Sequence, residues 1–399
     1  MKTSFTAVAS STDHDPKTSR NILLLGLVSL LNDISSEIIQ PILPLFITSL
    51  GGGSVAVGLI GGISDGIPSI FQVFSSYWSD RLGKRKPVVV AGYSLSAVAK
   101  LLFPASALWQ QLLVLRTVER SGKGIRSAPR DAMISESAVK AARGRGFGLH
   151  RAMDTSGAVI GSLLAYILWD GGLDFRMIFL IAGVLAMVAL FPFIYVREGF
   201  ALQRARSILK FADISPKLRE FIVIAFIFGL GNFSYMFFIL RAQQFFTGMS
   251  SVGDPLLLYA FFNIVYAVLS LPVGIWSDRI GRKNVLTLGY ALFAATALGF
   301  AAVSSVVGLV LLFALYGSVF ALVDASQRAF VSDLSHAALR STSLGIYYGA
   351  IGVGAILSGM IAGELWAASG PEATFLFGAA ASALAALLLW RMKDITEIL

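Results

Sequence analysis

The sequence has no cysteine and only three histidines, at positions 14, 150 and 336. Disulfides, thiolate metal sites and cysteine nucleophiles are excluded, and three scattered imidazoles do not make a metal centre. Charge is scarce as well: 14% of the 399 residues are Asp, Glu, Lys or Arg, against 56% apolar. That balance excludes a disordered chain and an ordinary soluble domain. Ser121-Gly122-Lys123-Gly124 lacks the Gly-x4-Gly-Lys-Ser/Thr spacing of a phosphate cradle and follows no strand. There is no zincin motif and no convincing Ser/His pair, so neither a cofactor nor an enzymatic role is expected. A sensor would need a soluble output domain, and none is apparent.

What is present is hydrocarbon: 29 Phe, 39 Gly and a mean hydropathy of +0.76. A membrane span needs ~20 predominantly apolar residues. Twelve such segments are predicted, at 21–49, 54–78, 87–108, 111–136, 146–169, 174–196, 218–246, 253–276, 284–303, 306–334, 342–366 and 373–391. Pro41 and Pro44 are expected to kink the first. Alternate loops are rich in Lys and Arg (Arg81, Lys84, Arg85 and Lys86 in one, Arg279, Arg282 and Lys283 in another), and the intervening loops have almost none. Basic loops stay on the cytoplasmic side, so both termini are placed inside, in a cytoplasmic membrane. The net charge of +9 is explained by topology rather than by nucleic acid.

The chain repeats itself. Trp78-Ser79-Asp80-Arg81-Leu82-Gly83-Lys84-Arg85 returns 198 residues later as Trp276-Ser277-Asp278-Arg279-Ile280-Gly281-Arg282-Lys283. Ala132, Ser135, Glu136, Gly148 and Gly157 return 197 residues later as Ala329, Ser332, Asp333, Gly345 and Gly354. Two blocks with nearly one offset imply two parallel six-helix halves. The expected organisation is a cytoplasmic tail 1–20, a half 21–197, a linker 198–217, a half 218–392 and a tail 393–399.

With these motifs the chain resembles the major facilitator superfamily of secondary transporters. Gly274, Asp278, Arg279, Gly281, Arg282 and Lys283 fit that family's loop signature fully, and in the first copy Ser76 replaces the leading glycine. Arg120 and Gly124 suit its fourth-helix pattern, with Arg116 a rival for the same role. Gly148, Gly157 and Gly161 have the spacing seen in antiporters, although Ser162 replaces the usual proline and Ala165-Tyr166 the glycine pair. The resemblance implies an all-helical fold, alternating access between two halves, and a monomer.

The residues carry a reading of their own. Asp80 and Asp278 can accept from exposed N–H groups at a helix N-terminus. Arg81 and Arg279 are expected to pair with Glu136 and Asp333 on neighbouring helices and so latch the halves together. In the fourth span, Arg116, Glu119, Arg120, Lys123, Arg126, Arg130 and Asp131 fall within roughly a 140° arc. Ionisable groups in a span are costly and face the protein interior. Asp33 and Glu37, four apart on one helical face, and Asp154 are candidate proton carriers, since a carboxylate moving between an arginine and an open cavity can bind and release a proton. Arg116, Glu119, Arg120, Lys123, Asn232, Tyr235, Arg241, Asp324 and Arg328 are candidates for the cavity wall. The expected activity is proton-coupled export of a small organic solute. The alternative is uptake or exchange of an organic anion held by the fourth-helix arginines.

Overall fold

The structure is a computed structural model that describes residues 16–82, 84–137, 143–198, 214–335 and 339–393. Most of both expected tails and of the linker, together with Gly83, lies outside the described residues, as does the side chain of Asp80.

Thirteen α-helices make up most of the described residues. The first half holds α1 (Pro16–Ser49), α2 (Ser54–Leu82), α3 (Lys86–Leu102), α4 (Trp109–Glu136), α5 (Arg143–Asp170) and α6 (Phe175–Val188). The second holds α7 (Pro216–Gly231), α8 (Met236–Gln243), α9 (Ser250–Ile280), α10 (Arg282–Ala302), α11 (Val306–Asp333), α12 (Arg340–Ser369) and α13 (Pro371–Arg391). Eleven spans are long and apolar enough to cross a membrane, with α7 and α8 counted as one. The twelfth, α4, falls short only because of its ionisable residues.

The span expected as one helix over 218–246 is broken. Gly229, Gly231 and Asn232 are poor helix formers, and Asn232 leaves the helix at φ −88°, ψ 68°. Residues 232–235 cross the gap before α8 begins. By contrast, α1 runs unbroken through Pro41 and Pro44. The repeat is visible in coordinates: α4 and α11 have bounds displaced by 197 residues at both ends.

Two seams join the halves, α2 against α12 and α5 against α9. Along the first, backbone meets backbone. A Cβ added to Gly58 would stand 2.2 Å from the Gly359 carbonyl oxygen, and one on Gly66 would stand 2.3 Å from that of Gly352. Glycine is required where main chains approach this closely. Within the first half, Gly157 and Gly161 of α5 play the same part against α1, where an added Cβ would meet Leu30 and Ile34 oxygens at 2.9 and 2.5 Å. Gly148 has nothing within 4 Å of its Cβ position. Gly281, at φ +91°, is the turn between α9 and α10, a conformation that side-chain-bearing residues rarely adopt.

Candidate functional site

Between the halves lies a cavity of about 570 Å³. Its two walls differ in chemistry. The first half contributes Asp33 and Glu37 from α1, Asp65 from α2, Lys123, Arg126 and Arg130 from α4, and Arg151 and Asp154 from α5. The second contributes the α7–α8 break, and Tyr259, Phe262, Asn263 and Tyr266 from α9, and Tyr316, Phe320 and Asp324 from α11. The difference follows the repeat: Asp65, Lys123 and Asp154 have as their counterparts, 197 residues on, Phe262, Phe320 and Ile351. Equivalent positions are ionic in one half and aromatic or aliphatic in the other.

Glu37 and Gln40 cross to the far wall. The Glu37 carboxylate accepts from the Tyr259 hydroxyl at 3.0 Å and also from the Gln40 amide. The Tyr235 hydroxyl donates to the Gln40 carbonyl oxygen at 3.2 Å. Ser234 fills the space left by Gly61 of α2. Together these contacts floor the cavity at the end away from the basic loops. Toward the basic end, Arg151 donates at 2.8 Å to both Asp324 and Tyr266, joining α5 to α11 and α9. Arg151 is 52% exposed and Asp324 38%, while Arg116 and Glu119 are at 0%. Solvent therefore reaches the site from the basic end.

Behind the first wall is a buried ionic network. Glu119 accepts from Arg116 at 3.0 Å and lies 3.4 Å from Arg120. Arg116 also donates to Ser64 at 2.9 Å, and Arg120 to the Gln40 side chain at 3.3 Å. Lys100 is fully buried and donates to the hydroxyls of Ser35 and Ser36 at 3.1 and 2.8 Å. Arg126 donates to Ser96 at 2.7 Å and stacks over the Tyr93 ring. The apolar arc of α4 faces outward, with Val114 62% exposed.

The expected residues fall into four groups. Asp33, Glu37, Asp154, Lys123, Asn232, Tyr235 and Asp324 line the cavity. Arg116, Glu119 and Arg120 do not: they are held behind the wall by their own mutual charges. Arg328 sits beside the cavity, paired with Asp324 at 2.7 Å. Arg241 is a correction. It ends α8 and bonds Glu372 at 3.2 Å and the Phe300 carbonyl, away from the cavity. The reading that placed it in the wall treated 218–246 as one continuous helix.

The expected pairs of the loop motif also shift. Glu136 pairs with Arg85, not Arg81, and Asp333 with Arg282, not Arg279. Asp278 faces Arg282 at 3.4 Å. Both carboxylate pairs lie inside a half, so they brace each half rather than latch the two. Among the described residues the charged link between halves is Arg151–Asp324. Sequence reasoning overlooked Gln40 and Tyr259. Tyr259, Phe262, Asn263 and Tyr266 recur at helical spacing and form one face of α9, which is the signal that could have found them.

Comparison with known proteins agrees with this arrangement. The family model described as Major Facilitator Superfamily matches residues 25–261 and 221–398. An uncharacterized MFS-type transporter of Methanocaldococcus jannaschii is 45% identical over 384 residues, covering 94% of this chain and 96% of that one. The multidrug resistance protein MdtG of Salmonella paratyphi A is 24% identical, covering 67% of this chain and 69% of its own length. Among solved structures, the nucleoside transporter NupG superposes with a TM-score of 0.75 at 16% identity, over 93% of this chain and 98% of that one. The human organic anion transporter MFSD10 gives 0.67 at 19% identity, over 93% and 99%. These structural likenesses are likenesses of fold.

Proposed function

The chain belongs to the major facilitator superfamily, and from that premise we propose that it exports a small organic solute in exchange for protons, by alternating access. It is a multi-pass membrane transporter and not an enzyme; direction, coupling ion and substrate are the proposal. One observation carries it: Glu37, a carboxylate inside the cavity, receives its hydrogen bond from Tyr259 of the opposite half. An ionised carboxylate is an acceptor only, whereas a protonated one also donates. Gaining a proton therefore changes a contact between the halves, which is what coupling requires. Asp33 and Asp154 line the same cavity and can pass protons to and from it.

In this reading the halves are residues 21–197 and 218–392, joined by the linker 198–217, with both termini and the basic loops in the cytoplasm. The cavity then faces the cytoplasm in the state described, and the protein works in the cytoplasmic membrane as a monomer. Rocking of one half on the other at the glycine seam would expose the opposite side. The anion reading is weaker, because Arg116 and Arg120 do not line the cavity. The multidrug and nucleoside functions of the similar proteins fit a solute larger than an ion.

The test is flux in liposomes of defined orientation. An imposed pH gradient should drive solute movement, and Glu37→Gln should abolish the response to pH while leaving solute exchange measurable. Flux that ignores pH in the parent protein would overturn proton coupling.

A further inference from the structure

We propose that the closed floor of the cavity is a binding subsite for planar nitrogen heterocycles that present N–H donors beside a ring acceptor. This rests on the transport reading and names the class of solute.

Three buried polar side chains face the cavity with an atom left over. Ser234, Asn263 and Tyr316 are 5%, 5% and 1% exposed, and all three line the cavity. Among the described residues neither the Ser234 hydroxyl, the Asn263 amide nitrogen nor the Tyr316 hydroxyl makes a well-aligned hydrogen bond, although Ser234 lies beside the Asp65 carboxylate and Asn263 beside the Tyr259 hydroxyl. Buried polar groups are nearly always paired. Three orphans from three separate elements, all on the wall of one chamber, mark places that a bound molecule completes.

The fourth group is Asp65. It stands one helical turn from Gly61, against which Ser234 packs. The other cavity carboxylates have polar neighbours: Asp33 accepts from Asn32 at 3.4 Å, Glu37 from Tyr259, Asp154 lies beside His150 at 3.4 Å, and Asp324 accepts from Arg151 and Arg328. Among the described residues Asp65 makes no ion pair. It is an exposed carboxylate on the cavity wall, with the Ser234 hydroxyl beside it.

Flat rings supply the rest. Phe262 stacks on Tyr316 with centroids 4.8 Å apart, and Tyr235 and Tyr259 lie 5.4 Å apart. Aromatic faces accept a planar π system better than a bulky aliphatic group. Asp65 accepts N–H or O–H donors from the ligand, the Asn263 amide nitrogen requires an acceptor, and the two hydroxyls serve either role; the flat aromatic wall favours donors carried on a planar ring. A nitrogen heterocycle with an amino or amide edge meets all of these. A lipophilic cation without N–H groups satisfies none of the orphans, and an organic anion would set its charge against Asp65.

The experiment is calorimetric titration of the full-length protein in detergent, with no gradient, using adenine, cytosine and 2-aminobenzimidazole, and with tetraphenylphosphonium and benzoate as contrasts. We expect saturable binding of at least one heterocycle, undisturbed by either contrast compound. Asp65→Asn and Tyr316→Phe should each weaken it about tenfold or more. Tyr316→Phe removes a single oxygen and carries the test alone if Asp65→Asn does not fold. Failure of all three heterocycles to bind, preference for tetraphenylphosphonium or benzoate, or affinity untouched by Tyr316→Phe would overturn the subsite. Because no pH gradient is used, a failure here is separable from a failure of proton-driven flux in liposomes.

Discussion

Arg151 of α5 and Asp324 of α11 meet at 2.8 Å across the open side of the cavity, and they come from opposite halves. Both are partly exposed, so the pair is screened and worth ~0.2–1 kcal/mol. That is enough to bias two states of similar energy without locking either. Asp324→Asn is therefore expected to raise access to the cavity by a factor of about 1.4 to 5. The chain has no native cysteine, so a single Ser127→Cys, on the cavity wall, reports this through its rate of labelling by an impermeant maleimide. An unchanged rate would mean the pair does not hold the mouth.

Glu37 and Tyr259 give a second expectation. Tyr259→Phe removes one donor to a charged acceptor, a loss of about 1.5–3 kcal/mol in one state of the cycle. Transport should slow and its pH profile should move, while Glu37→Gln should flatten that profile. Initial rates in liposomes over a range of pH check both variants. A Tyr259→Phe profile that overlays the parent would remove Tyr259 from the coupling.

Glu119 should be far more important to stability than to selectivity. Converting Glu119→Gln leaves Arg116 and Arg120 buried without their carboxylate, and breaking a buried pair in this way costs about 3–5 kcal/mol. Melting of the detergent-solubilised protein should fall sharply, or expression should be lost. Arg241→Ala breaks a pair whose partner Glu372 is 52% exposed, and its effect should stay below ~1 kcal/mol. Equal losses for the two would contradict the assignment of one to the interior and the other to the rim.

The glycines of α5 should divide in the same manner. Gly157→Ala and Gly161→Ala push a methyl into the backbone of α1, with an overpacking cost of about 1–3 kcal/mol. Gly148→Ala meets nothing and should be neutral or slightly stabilising, since alanine favours a helix by ~1 kcal/mol. Thermal melts of the three variants decide it.

In the loop motif, Arg282→Gln should reduce stability or expression and Arg279→Gln should not, because Asp333 and Asp278 both face Arg282. A fluorescence-detected elution profile of each variant is sufficient.

Much of the fold was legible because hydrophobic length and charge asymmetry are linear properties of the chain. The repeat was legible too, with its offsets of 197 and 198, but not which basic residue of each loop meets the carboxylate: Arg85 and Arg282 do so, and that depends on how the loop turns. Three-dimensional facts account for the other misses. That Arg116 and Arg120 turn away from the cavity depends on where Ser64 and Gln40 stand. That the seventh span breaks at Asn232 depends on weak helix formers, which elsewhere in this chain are tolerated. Tyr259 was hidden because a tyrosine in an aromatic-rich chain carries no mark of its own until its helical face is plotted.

The seam of bare backbone between α2 and α12 has one more consequence. Only a few side chains, among them Ile70 and Ile356, reach across it, so one lobe could roll on the other with few rotamers having to flip, like a bearing with shallow teeth. Friction at such a joint would come from the surrounding lipid more than from the protein, and turnover would then follow the fluidity of the bilayer.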